Sequence, residues 1–438
     1  MIIRPSTRLL ASLLAGVVLC GGLMSVGSAQ AKSKAKPPCD GPRTAFCDST
    51  VEPPKAWHGR LFKLAQHYPT AAPKDVQPWL AFDPKTQSGD YLRSVLGYFY
   101  DGNLRGTEAS FDPALNKKRE WYNAPWSDFG KYGREPIHGL TFERVSQPGE
   151  MAPQETQRWN NYAVGFYNAP GGVTLGKTWA DHGKPNAAAG IMPEGTVAAK
   201  LLFTTATQSQ VPFLAGSPGW QVYVYSNHHL NDDVKAVDAN GKVLAIQPPL
   251  TRAVTTVRLV QIDIAVKDRR AGKTGWIFGT FVYGGGPGGK SGSGWKHVEP
   301  VGVMWGNDPG FSGTGALQES WINPAVHMPH LGYQGRLNGP VDNPVSSCMS
   351  CHSTAETPGI GAMIPPSAPA DPSRWFQNIP SGTPFDAGKT SLDYSLQQEV
   401  AFFNYQAAKT IRSLKGKAER DAAMKAHSPP SRAGAAAQ

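Results

Sequence analysis

After residue 31 the chain has no apolar run long enough to cross a bilayer, no second C-x-x-C pair and no internal repeat. The first lack leaves no candidate for a membrane-spanning helix once the leader is gone. The second excludes a zinc ribbon, which needs two such pairs to complete its four ligands. Charge is also sparse, at 17% of residues against 40% hydrophobic, so the composition suits a folded, core-bearing chain and not a disordered one. Cysteine is rare, with five in 438 residues, so each position carries information.

Residues 1–31 read as an export signal. Arg4 and Arg8 precede an apolar run from Leu9 to Leu19, and Ala29-Gln30-Ala31 forms an A-x-A cleavage site, so the mature chain is expected to start at Lys32 in a periplasmic or secreted location. A lipid anchor at Cys20 fits less well, because the bulky Leu19 precedes it. With Cys20 gone, Cys39 and Cys47 form an even pair suited to a local disulfide, two free thiols being the alternative. The formal charge of +10 falls to +8 without Arg4 and Arg8, and Lys32, Lys34, Lys36, Lys415 and Lys417 put part of it at the ends. Solvated tails or an acidic redox partner account for that excess, and nucleic acid is not indicated.

The remaining cysteines lie in Cys348-Met349-Ser350-Cys351-His352, a C-x-x-C-H motif. Two thiols at this spacing can add across the two vinyl groups of one haem, and the imidazole that follows reaches the iron from the proximal side. A redox-active disulfide is the rival reading. One motif implies one covalent haem c, with Cys348 and Cys351 as anchors and His352 as iron ligand. Electron-transfer cytochromes fill the other axial position with Met or His, whereas catalytic and gas-binding haems leave it open. Met328, His327, His330, Met363 and Met424 are the candidates, and each reads better as a loop or tail residue.

Along the chain, residues 32–150 are rich in Pro, Trp and Tyr and read as a wrapping extension or small subdomain with one helix at Asp90 to Tyr100. Residues 151–360 change character to β-branched and aromatic runs separated by turn residues, the pattern of antiparallel strands. Strands are expected at Tyr162 to Tyr167, Val197 to Thr205, Gln221 to Tyr225, Val257 to Val266 and Gly275 to Tyr283. In the fourth of these, Val260, Ile262, Ile264 and Val266 share one face and Gln261, Asp263 and Ala265 the other. Asp238-Ala239-Asn240-Gly241 suits a hairpin turn. The run Gly284 to Ser291 has the letters of a phosphate-binding loop, but Ser291-Gly292-Ser293-Gly294 follows where a helix would have to begin. His228-His229 with Asp232 and Asp233 reads as a polar loop before a metal site. Residues 361–390 read as a Pro-rich linker and 391–414 as a helix, with Thr390 and Asp393 as its capping box and an apolar stripe at Leu392, Leu396, Val400, Phe403, Ala407 and Ile411. Residues 415–438 read as a disordered basic tail.

Four segments in this order, Pro193 to Leu201, Ile262 to Asp268, Gly275 to Phe281 and the C-x-x-C-H motif, resemble the cytochrome P-460 family over roughly residues 159–352. The resemblance implies an α+β, mainly antiparallel β haem domain with the motif near its C-terminal end, here with long insertions, an N-terminal extension and a C-terminal helix. It implies oxidation of a small nitrogen substrate such as hydroxylamine at an open iron site, with electrons passed to a periplasmic partner; the alternative is a non-enzymatic electron-transfer or nitric-oxide-binding cytochrome. Lys200 matches the lysine that joins the haem ring in that family, and Asp263 its distal carboxylate, one methylene shorter than the usual Glu. Without the resemblance, Lys200 reads as a solvated strand lysine and Asp263 as a cross-strand partner of Arg258 or Lys200.

Overall fold

A computed structural model of the chain describes residues 52–104, 111–127, 134–227, 229, 250–359 and 372–426. The export signal, Cys39 and Cys47, the turn at Asp238 to Gly241, His228, Asp232, Asp233 and Met363 lie outside them. Among the described residues the fold is α+β with one large antiparallel sheet and few helices.

The first helix, α1 (Ser88–Tyr100), buries the stripe Leu92, Val95, Leu96 and Phe99. The spacing of these residues puts them on one face at 3.6 residues per turn. Strands β1 (Thr141–Ser146) and β2 (Trp159–Tyr167) follow, then helix α2 (Ala169–Thr178), β3 (Val197–Thr204), β4 (Gly219–Tyr225), β5 (Arg252–Lys267), β6 (Trp276–Tyr283), β7 (Val298–Met304) and β8 (Ser320–Ile322). They pair in the order β1-β2-β3-β5-β6-β7-β8, with β4 on the outer part of β5. The sixteen-residue β5 is the spine of the sheet: its second half pairs with β3 on one side and β6 on the other. Its β-branched content suits a strand covered on both faces. After the sheet come the five-residue helix α3 (Cys348–His352), the short pair β9 (Glu356–Thr357) and β10 (Thr390–Ser391), helix α4 (Leu396–Ser413) and helix α5 (Lys417–Ala426).

One sheet face and α1 share a core in which Leu92, Val95 and Phe99 join Val197, Phe203, Ile262, Ile264 and Phe281. The other face carries Trp276, Phe278, Met304, Leu337, Met349 and Tyr394. The region expected to be an N-terminal extension therefore supplies a core helix and the edge strand β1.

Several details differ from the sequence expectation. The alternation in β5 breaks at a bulge: Leu202 pairs with Gln261 and Phe203 with Leu259. The extra residue, Val260, packs with Leu202 and Val341 rather than with Ile262 and Ile264. Helix α4 is capped by Ser395, whose hydroxyl accepts from Gln398 N at 3.2 Å, and not by Thr390 or Asp393. Part of the expected linker is packed, with Phe376 stacked on Tyr333 at 4.9 Å under the Arg336 guanidinium. Part of the expected basic tail is the helix α5. The glycine run at Gly284 to Ser291 leads through turns to strand β7, with no helix at its end.

Candidate cofactor site

Strand register brings the two lone polar residues together. Gly165, Lys200, Asp263 and Thr280 are direct cross-strand neighbours on β2, β3, β5 and β6, forming one row across the sheet on the face away from α1. Small residues beside that row, Ala163, Ala198 and Ala265, leave a trough above it.

Strand β1 closes one end of the trough. Its pairing skips a residue between Phe142 and Arg144, so Glu143 sits at a bulge, and Glu143 and Arg144 both reach the trough wall. The Lys200 ammonium lies 2.9 Å from Glu143 Oε2, with side chains only 17% and 9% exposed, so Lys200 is a paired, largely covered lysine and not a solvated one. Arg144 grips Glu150 through two nitrogens at 2.8 Å and donates to the carbonyls of Val341 and Asp342, tying the loop before α3 to the edge of the sheet.

That loop brings a second carboxylate to Asp263. Gln261 Nε2 donates to both Asp263 oxygens at 2.8 and 2.9 Å and to Asp342 Oδ2 at 2.8 Å, while Thr280 Oγ1 donates to Asp263 Oδ1 at 3.0 Å. Burial, followed by the like charge of Asp342, pushes the Asp263 pKa up; the Lys200 charge and the two hydrogen bonds oppose this without cancelling it.

Helix α3 lies against the same row. Ser347 caps it through a reciprocal box with Ser350. Cys348 Sγ lies 3.4 Å from Thr280 Oγ1, and neither Cys348 nor Cys351 is in a disulfide. Burial, then the Asp263 and Asp342 charges, hold the Cys348 thiol well above its ordinary pKa. A redox-active C-x-x-C pair needs the opposite, a thiol readily ionised by positive surroundings.

His352 Nδ1 lies 2.8 Å from the backbone oxygen of Tyr394, and its ring lies 4.8 Å from that of Phe278. A carbonyl can only accept, so Nδ1 carries the proton, and in the neutral form of the ring the lone pair is on Nε2. Tyr394 is presented by a rigid turn. Asp393 and Tyr394 have φ of 50° and 67°, and the buried Asp393 carboxylate receives Lys267 Nζ at 2.7 and 2.9 Å.

Two clefts meet at this wall. One, with about 670 Å³ of space that merges with solvent, is lined by Glu143, Lys200, Asp263, Cys348, Cys351 and His352. The second, of about 570 Å³, shares Lys200, Asp263 and His352 with it and extends to Tyr167 and Tyr394. The paired thiols, the tautomer fixed on His352 and the small residues of the trough fit a haem anchored at Cys348 and Cys351. Among the described residues lining the two clefts there is no methionine and no second histidine. His327, Met328 and His330 lie elsewhere, and Met328 packs beside the core of Val301 and Leu337.

The structure thus gathers Lys200, Asp263, Cys348, Cys351 and His352 at one place. The sequence reading missed Glu143, Gln261, Asp342, Asp393 and Tyr394 as parts of it. Asp342, just before the motif, was the most accessible of these, while the role of Tyr394 rests on a backbone carbonyl that no sequence pattern marks. Comparison of the chain with protein-family models, with curated proteins and with solved structures returns no match.

Proposed function

We propose that this chain is a monohaem c-type protein, with haem anchored by Cys348 and Cys351 and ligated by His352, that oxidises a small nitrogen substrate such as hydroxylamine at an open iron site. The hydrogen bond from His352 Nδ1 to the Tyr394 carbonyl carries the reading. Metal-ligating histidines are held in this way through the nitrogen that does not face the metal, which fixes ring orientation and strengthens Nε2 as a donor. When bound, the haem supplies the electron-accepting centre.

The chain's own residues perform the remaining tasks. Asp263, raised toward neutrality by burial and by Asp342, is suited to accept a proton at its carboxylate oxygens as a bound substrate is oxidised. Gln261 and Thr280 aim that carboxylate, and the Lys200–Glu143 pair sets a fixed charge arrangement beside it. Electrons leave to a periplasmic redox partner. A second reading, a nitric-oxide-binding or electron-transfer cytochrome without turnover, is favoured by one observation: the Lys200 amine is already engaged by Glu143 and so is held back from the haem ring.

The test is the intact mass and the ferric and ferrous absorption spectra of the chain produced with haem maturation, followed by hydroxylamine oxidation with an artificial electron acceptor. The expected result is one covalent haem, high-spin ferric bands and turnover that falls roughly 100-fold or more in Asp263→Asn, the scale of losing a general base. High-spin bands without turnover establish the gas-binding reading, and sharp low-spin bands the electron carrier. Absence of covalent haem overturns both readings.

A further inference from the structure

The Asp393 carboxylate is fully buried and accepts from five separate groups. Lys267 Nζ reaches both oxygens; Ser381 Oγ at 2.7 Å, Gly382 N at 3.2 Å and Trp276 Nε1 at 3.2 Å donate to Oδ1; Met192 N at 2.9 Å donates to Oδ2. These donors come from β5, β6, the segment before β3 and the loop after residue 372, so four distant parts of the chain converge on one side chain. The Lys267 ammonium also stands 5.0 Å over the Trp276 ring.

What this convergence holds is the backbone. Left-handed φ is tolerable for Asp but unfavourable for a bulky residue such as Tyr, and two in succession persist only where the surroundings over-determine them. On the far side of Tyr394, Ser395 caps α4 and bonds the Tyr167 hydroxyl at 2.7 Å, and the Tyr394 hydroxyl donates to the Ile379 carbonyl at 2.6 Å. The turn is thus fixed at both ends and at the ring, which leaves the Tyr394 carbonyl a single direction, toward His352 Nδ1.

We infer that Asp393 and Lys267 are positioning residues: their buried ion pair locks the Asp393-Tyr394 turn so that the Tyr394 carbonyl holds His352 in the Nδ1–H tautomer. The inference rests on the proposed role of His352 for its consequence, but its geometry stands without a haem. Weakening the hydrogen bond lowers the basicity of the imidazole and so raises the reduction potential of a metal it ligates.

The test uses full chain with ¹⁵N-labelled histidine, in haem-free and haem-loaded forms. His352→Gln identifies the His352 resonances among the eleven histidines. In the haem-free wild type at pH 8, Nδ1 is expected to give the proton-bearing signal and Nε2 the lone-pair signal. Lys267→Met and Asp393→Ala are expected to shift that balance toward the Nε2–H form, with Asp393→Asn intermediate because one oxygen remains for the Ser381 and backbone donors. In the loaded protein the same order is expected in the reduction potential, most positive for Asp393→Ala. A loss of stability alone would not move the tautomer of a folded chain. If Asp393→Ala does not fold, Lys267→Met and Asp393→Asn carry the test. Folded variants that keep the wild-type tautomer overturn the inference, whatever the haem does; a chain that takes up no haem overturns the proposed function and leaves the tautomer result standing.

Discussion

Glu135 is a buried carboxylate held by backbone amides, with no Lys or Arg paired to it among the described residues. It accepts from the amide nitrogens of His138 and Tyr223, and burial pushes its pKa to about 7 from an ordinary 4.5. His138, 4.0 Å away and stacked on Trp220, does not compensate, because burial pushes its own pKa down to about 3 and keeps it neutral. A folded-state pKa raised above the unfolded one means that the native state holds the proton longer. Stability is therefore full below the unfolded pKa and is lost as pH rises through 7. Replacing Glu135 by Gln costs a hydrogen bond at every pH but removes this loss. The stability of Glu135→Gln relative to wild type, from urea unfolding of the haem-free chain, is expected to improve by roughly 3 kcal/mol between pH 4 and pH 8. A flat difference would show that Glu135 is ionised without penalty. Asp263 follows the same sign for a related reason, burial beside a like charge. Its isolation among apolar strand neighbours was visible in the sequence; its approach to Asp342 was not, because that depends on a loop folding back over β5 and on Gln261 bridging both carboxylates.

At the scale of elements, the strands with sustained β-branched alternation were legible: β2, β3, β4, β5 and β6 lie within a few residues of their expected positions, as does α1. Helix α2 was not, since Gly171 and Gly172 weaken its propensity. Tertiary packing overrides that weakness, because a side chain at Gly172 would strike the Tyr122 ring. Bulges were equally hidden. A single inserted residue changes which side chains share a face, and that is why Glu143 did not stand out as a partner of Lys200. Glu143→Ala leaves the mostly covered Lys200 ammonium without its carboxylate and is expected to cost about 2–4 kcal/mol in urea unfolding, while Glu143→Gln, which keeps an acceptor, costs less. Equal, negligible costs for both would show the pair to be solvated. Ser395→Ala removes the α4 cap and the partner of the Tyr167 hydroxyl together, and an increase of about 1–2 kcal/mol in the ease of unfolding is expected by the same measurement.

Over the whole molecule, α1, from the region read as a wrapping extension or small subdomain, packs into the core of the sheet. The Leu92 side chain fits against Gly279 on the central strand β6, where even a methyl group would stand 2.3 Å from its Cδ2. Leu92→Ala is expected to destabilise the entire sheet by about 2–5 kcal/mol in one cooperative transition, followed by circular dichroism in both the sheet and the helix signal. Separate transitions for α1 and the sheet would show that the helix is not part of the sheet's cooperative unit. The order of the elements has one more consequence. The walls carried by β1, β3 and β5 precede the cysteines in the chain, whereas the Asp393-Tyr394 turn and α4, which complete the enclosure, follow them. The turn that holds His352 therefore depends on chain beyond residue 390, so truncation before Asp393 removes the Tyr394 carbonyl while leaving the sheet that carries Lys200 and Asp263 intact in sequence.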